Sequence, residues 1–167
     1  MKTFLPVVCL VLIFAGVFAQ EQKPTSCPGN VKVMQNFDVN QYLGLWFEIE
    51  KTPMVFEAGL KCITANYTDK GDYISVFNRG VSRRSGREKT SEGKATVPNS
   101  DEPAKLKVRF DILSFSSDYW VLDTNYDEYT VVYSCFNMLK GYETGTDIFI
   151  QSFTLFQHLY VCDFSEK

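Results

Sequence analysis

Residues 43–51 read Leu43-Gly44-Leu45-Trp46-Phe47-Glu48-Ile49-Glu50-Lys51. Aromatic and β-branched side chains of this kind fit the half-buried surface of a pleated strand. Similar short runs follow at 62–68, 73–81, 88–97, 106–112, 119–124 and 129–135. Turn-forming pieces such as Asp69-Lys70-Gly71-Asp72, Ser85-Gly86 and Pro98-Asn99-Ser100 separate them. Seven strands in meander order, uninterrupted by a helical 3.6-residue pattern, predict an all-β protein. Its exposed edges are removed by closing a barrel or folding a sandwich. A barrel of eight strands is just wide enough to enclose one small ligand, so the segment after Gly145 matters. There, Ile148-Phe149-Ile150 is followed by Phe153, Leu155, Phe156, Leu159 and Tyr160. This reads as a final strand, the preferred choice, or as a helix whose face carries Phe149, Phe153, Phe156 and Tyr160.

The rest of the composition agrees with one packed domain. The chain has 167 residues, 45% hydrophobic and 22% charged, which excludes disordered and collagen-like architectures. A formal charge of −3 argues against nucleic acid as a partner, because phosphate binding is built from clustered Lys and Arg.

Lys2 precedes an apolar run from Phe4 to Phe18, with Val17 and Ala19 at the positions a signal peptidase reads. Residues 1–19 are therefore expected to be a signal peptide, too short and Pro-interrupted for a membrane span, and the protein to be secreted. Cleavage removes Cys9 and leaves Cys27, Cys62, Cys135 and Cys162, an even set that reads as two disulfides with three possible connectivities. No metal-ligand spacing is recognisable beyond the loose pair His158 and Cys162, so no metal is expected. Asn66-Tyr67-Thr68 is an N-glycosylation acceptor, which places Asn66 facing outward.

Further features are shared with a known family. Gly44 and Trp46 form a G-x-W at the start of the first strand, after Asn36-Phe37-Asp38-Val39 and Tyr42-Leu43. Tyr119-Trp120-Val121-Leu122-Asp123-Thr124-Asn125-Tyr126 follows at the expected distance, with Asn125 where a T-D-Y motif has Asp, and Tyr133-Ser134-Cys135 ends the next strand. Together these resemble the lipocalins. Glu48-Ile49-Glu50-Lys51-Thr52-Pro53, with Phe56-Glu57, Lys61-Cys62-Ile63 and Ala65-Asn66-Tyr67, is similar to the apolipoprotein D, Lazarillo and bilin-binding group.

The resemblance implies an eight-stranded antiparallel up-and-down β-barrel, with residues 20–137 as its lipocalin part and the final strand left to the divergent residues 138–167. It also implies bridges Cys27–Cys135 and Cys62–Cys162, the latter with Cys162 as substitute partner. It stops near Asn137. Residues 138–167 lack the pocket-facing Trp, the motif Arg and the long helix of the family, so barrel closure rests on a divergent segment. Gly44, Trp46, Asp123 and Tyr126 become structural motif residues, with Trp46 plugging the closed end. Tyr67, Asn78 and Tyr119 become pocket residues, with the Met54-Val55-Phe56-Glu57 loop at the mouth; Phe110, Trp120 and Tyr133 complete the candidate ligand set. Strand alternation puts Val76, Asn78 and Gly80 on one side, and Tyr119, Val121 and Asp123 opposite Trp120 and Leu122, without deciding which side is inward.

The implied function is reversible burial of a small hydrophobic molecule, a fatty acid, sterol or bilin, with no catalytic cofactor. A protein-binding scaffold that uses its loops, as protease-inhibitor lipocalins do, is the alternative. Exposed Phe115 and Met54 would suit that role, or transient contact with a lipid surface or lipoprotein. No oligomeric state follows from the sequence. Catalysis is not expected: His158 is the only histidine and lies in the divergent segment, and a bridged Cys62 cannot act as a nucleophile. Arg79, Arg83, Arg84, Arg87 and Lys89 surround a hairpin turn, either as a solvated loop or as a device that steers an anionic lipid.

Overall fold

The computed structural model describes residues 27–52, 57–113, 115–137, 144–152 and 162. Eight strands follow one another in meander order: β1 (Gly44–Lys51), β2 (Leu60–Asp69), β3 (Ile74–Ser82), β4 (Glu88–Thr96), β5 (Lys105–Phe110), β6 (Ser117–Thr124), β7 (Tyr129–Asn137) and β8 (Thr144–Ser152). Each pairs antiparallel with its neighbour, and β8 pairs with both β7 and β1, so the sheet closes into a barrel.

The segment with two readings is thus a strand where it is described. Free edges on β1 and β7 offer it two rows of backbone partners, and that pairing outweighs the weak helical spacing of its phenylalanines. Phe153, Phe156 and Tyr160 lie outside the described residues. The fifth strand is shorter than expected, ending at Phe110, because Leu113 N donates to Phe110 O (3.0 Å) and turns the chain.

Residues preceding β1 strap the closed end. Met34 N donates to Val121 O (2.9 Å), and one helical turn, α1 (Val39–Tyr42), is capped by the Asp38 carboxylate accepting from Asn40 N. Val33, Phe37, Tyr42 and Trp46 form the core there. Trp46 is fully buried, stacks on Tyr42 with ring centroids 5.0 Å apart, and donates its indole N–H to Tyr42 O (2.9 Å).

Both disulfides match the pairing the resemblance implied. Cys27 is bonded to Cys135, fastening the strap to β7, and Cys62 to Cys162. Cys62 sits at a bulge in β2 with φ +56°, a left-handed conformation that the extra residue of a bulge accommodates.

The β6–β7 turn explains the second motif. Thr124 Oγ1 donates to Tyr129 O and accepts from Tyr126 N, while Asn125 Oδ1 accepts from the backbone N–H of Glu128 and Tyr129. An Asp oxygen would accept the same bonds, so Asn125 replaces it without loss of the turn. Tyr126 adopts φ +66°, and its hydroxyl accepts from Asp38 N (2.8 Å), tying this turn to the strap. Asp123 accepts from the Tyr129 hydroxyl (2.8 Å) on the outside.

Candidate ligand cavity

Strand alternation, once register is fixed, decides the inner wall. Ile63, Ala65 and Tyr67 from β2 face Val108 and Phe110 from β5 across the barrel. Val76 and Asn78 of β3, Ser117 and Tyr119 of β6, Ser134 of β7 and Gln151 of β8 complete a cavity of about 70 Å³. Gly93 on β4 makes room for Phe110: a Cβ there would lie 2.8 Å from both the Phe110 ring and Arg109 O. Without it, the ring lies close against β4.

Tyr67 and Tyr119 floor this cavity, and Tyr42 joins them through the Tyr119 hydroxyl. The Tyr119 hydroxyl is 2.9 Å from that of Tyr42 and 2.7 Å from that of Tyr67. Thr130 and Gln151 extend the network to β7 and β8. Burial pushes the Tyr42 hydroxyl up to about 12, and the Tyr67 and Tyr119 hydroxyls well above the ordinary tyrosine value of 10. Removing a phenolate from water is costly, so the floor stays neutral.

The sign of the resulting pH dependence follows. In the unfolded chain these phenols ionise near pH 10, whereas the folded barrel keeps their protons. Stability is therefore intact below pH 10 and falls as pH rises above 10, by about 1.4 kcal/mol per pH unit for each tyrosine, the share of Tyr42 ending near its own value of about 12. In an alkaline titration the tyrosinate absorbance of Tyr67 and Tyr119 should appear only with unfolding, and that of Tyr42 not before about pH 12. Ionisation of every tyrosine while the near-ultraviolet dichroism of the fold persists would contradict the buried network.

Toward the mouth the wall becomes charged. Lys51 Nζ lies 2.9 Å from Glu48 Oε1 and also pairs with Glu57, and both carboxylates line the inner cavity. Beyond them opens a chamber of about 360 Å³ that shares Glu57, Ile63, Asn78, Phe110 and Ser117 with the inner one. Its further lining includes Leu60, Leu113, Phe115 and Ile112, the last 81% exposed at the rim. A volume of this size lies in the range of small-molecule pockets.

Of the residues singled out in the sequence, Tyr67, Asn78, Phe110 and Tyr119 converge on the cavity. Trp120 and Tyr133 do not line it. They belong to the opposite face of β6 and β7, where their rings lie 5.7 Å apart under the N-terminal strap, with Lys105 Nζ 5.3 Å from the Trp120 ring. Alternation forces this: their neighbours Tyr119 and Ser134 point inward. Met54 and Phe56 lie outside the described residues, as does His158. Phe115, expected as an exposed loop residue, is partly buried in the outer chamber. Arg79 and Lys89 border that chamber, Arg79 pairing with Glu88, while Arg83, Arg84 and Arg87 are exposed in the turn. Asn66 is exposed on the outer face of β2, in register with Leu45 and Phe77.

Sequence reasoning missed Glu48, Ser134 and Gln151 as lining residues, and had Glu57 only as part of the mouth loop. The polar positions alternating along residues 44–51 could have suggested Glu48. Gln151 had no signal before the register of β8 was known.

Comparison with known proteins agrees with this architecture. Residues 37–137, more than half of the chain, match the family model described as a lipocalin-like domain. Apolipoprotein D of Cavia porcellus is 45% identical over 135 residues, covering 78% of this chain and 70% of its own length. The Lazarillo protein of Schistocerca americana is 29% identical over 130 residues, 77% of this chain and 60% of that protein. Among solved structures, insecticyanin from the tobacco hornworm Manduca sexta superposes with a TM-score of 0.63 at 29% identity, covering 77% of this chain and 69% of its own. A closed eight-stranded meander, a buried G-x-W tryptophan under an N-terminal strap, and these relatives agree that the chain belongs to the lipocalin family, in its apolipoprotein D-like group.

Proposed function

We propose that the protein is a secreted carrier that reversibly buries a small hydrophobic molecule in its barrel. The observation that carries this reading is the pair of adjoining chambers running from a neutral tyrosine floor to a mouth rimmed by Ile112, Leu113 and Phe115. An apolar ligand gains about 25 cal/mol for each Å² it withdraws from water, and no reactive group is needed. Enzymatic thiol chemistry is disfavoured because the Cys62 sulfur is committed to Cys162. In this reading residues 1–19 direct export, 20–137 with β8 form the barrel, and Asn66 carries a glycan. The resemblance to the bilin-binding group keeps a bilin among the ligands to be tested beside lipids. The exposed Ile112 favours a second, subsidiary role for the rim: transient contact with the lipid surface from which the ligand is taken.

Native mass spectrometry of the protein exported by a eukaryotic host tests the reading. The expected spectrum contains the chain starting at Gln20, two disulfides, a glycan lost in Asn66→Gln, and a non-covalent hydrophobic adduct. A blue-green preparation would identify a bilin. A ligand-free protein that also takes up no apolar fluorescent probe would overturn the carrier assignment.

A further inference from the structure

We propose that the inner cavity takes the hydrogen-bond-donating end of its hydrophobic ligand, an alcohol or an amine, and discriminates against a carboxylate. This inference rests on the carrier reading and names the ligand class within it.

The wall of the inner cavity is rich in acceptors. Among the described residues it holds two carboxylates, Glu48 and Glu57, and no basic side chain, and both carboxylates turn to the single ammonium of Lys51. Gln151, only 5% exposed, bonds the Tyr67 hydroxyl through its amide N–H but leaves its buried Oε1 without a hydrogen-bond partner, and Asn78 Oδ1 is likewise unpartnered. Donors are few. The three tyrosine hydroxyls own three protons, and the two hydroxyl–hydroxyl bonds use two of them. Ser117 Oγ donates to Val108 O and Ser134 Oγ to Asp118 O, so neither proton is spare. The remaining protons, those of the Asn78 and Gln151 amides and one phenol, make no bond to either of the two amide oxygens, which stay unmet.

A ligand that enters must satisfy these oxygens or leave them unmet in a dry site, and an unmet buried acceptor is costly. A hydroxyl or ammonium supplies the missing protons. A carboxylate has none to give and brings a third negative charge beside Glu48 and Glu57. With about 70 Å³ the inner space fits a polar head and little more, and the chain of the ligand fills the outer chamber of about 360 Å³.

The test compares dodecanol, dodecylamine, dodecanoate and methyl dodecanoate, which share one chain and differ in the head, by displacement of a fluorescent probe from the disulfide-bonded protein. The alcohol and the amine are expected to bind at least about tenfold more tightly than the carboxylate. Gln151→Met should weaken those two several-fold and the ester distinctly less. Dodecanoate binding as tightly as dodecanol, or Gln151→Met shifting all four ligands equally, would overturn the head-group assignment and leave the carrier reading standing. Failure of all four to displace the probe would remove both. The comparison on the unmodified chain decides the matter even if the variant does not fold.

Discussion

Replacing Trp46 by alanine is expected to remove about 3–5 kcal/mol of stability, the range for emptying a buried aromatic site. The indole is fully buried at the closed end, stacked on Tyr42 and hydrogen-bonded to its carbonyl. Its loss leaves a cavity that the strands cannot collapse to fill, because each is held in register by neighbours on both sides. It also leaves Tyr42 without the ring beneath it, loosening the tyrosine floor. Since a domain's whole stability is about 5–15 kcal/mol, the variant should unfold at a much lower urea concentration. Trp46→Phe keeps an apolar ring and should lose less. A midpoint for Trp46→Ala near that of the parent would mean that the strap, and not the indole, holds the closed end.

Opening the Cys27–Cys135 bridge is the second large effect. The two cysteines are 108 residues apart, and closing a loop of that length restricts the unfolded chain by roughly 4–5 kcal/mol on the chain-entropy model. The bridge also clamps the strap over Trp120 and Tyr133, whose burial depends on that cover. The double variant Cys27→Ser, Cys135→Ala should therefore melt at a substantially lower temperature and expose Trp120, read as a red-shifted emission with greater quenching by iodide. Unchanged melting and emission would show the strap to be held by its own contacts, such as Met34 N to Val121 O.

Seven of the strands were legible because each carries its own pattern of aromatic, β-branched and turn residues, which acts over a few positions. Trp46 and the Thr124-Asn125-Tyr126 turn were legible through their resemblance to a family. The pocket was half legible. Tyr67, Asn78, Phe110 and Tyr119 reach it, whereas Trp120 and Tyr133 are equally aromatic but lie one position out of phase. A one-residue step exchanges the faces of a strand, and composition says nothing about phase.

The sequence by itself determined the all-β meander, its turns and the even set of cysteines beyond residues 1–19, because these depend on local backbone preference and residue count. Tertiary structure decided which cysteines meet, that residues 144–152 form a strand, and which face of every strand points inward. Those outcomes are set by closure: β8 finds backbone partners only where β1 and β7 present both their edges, and that pairing places Gln151 beside Glu48 and aims their polar groups at the cavity.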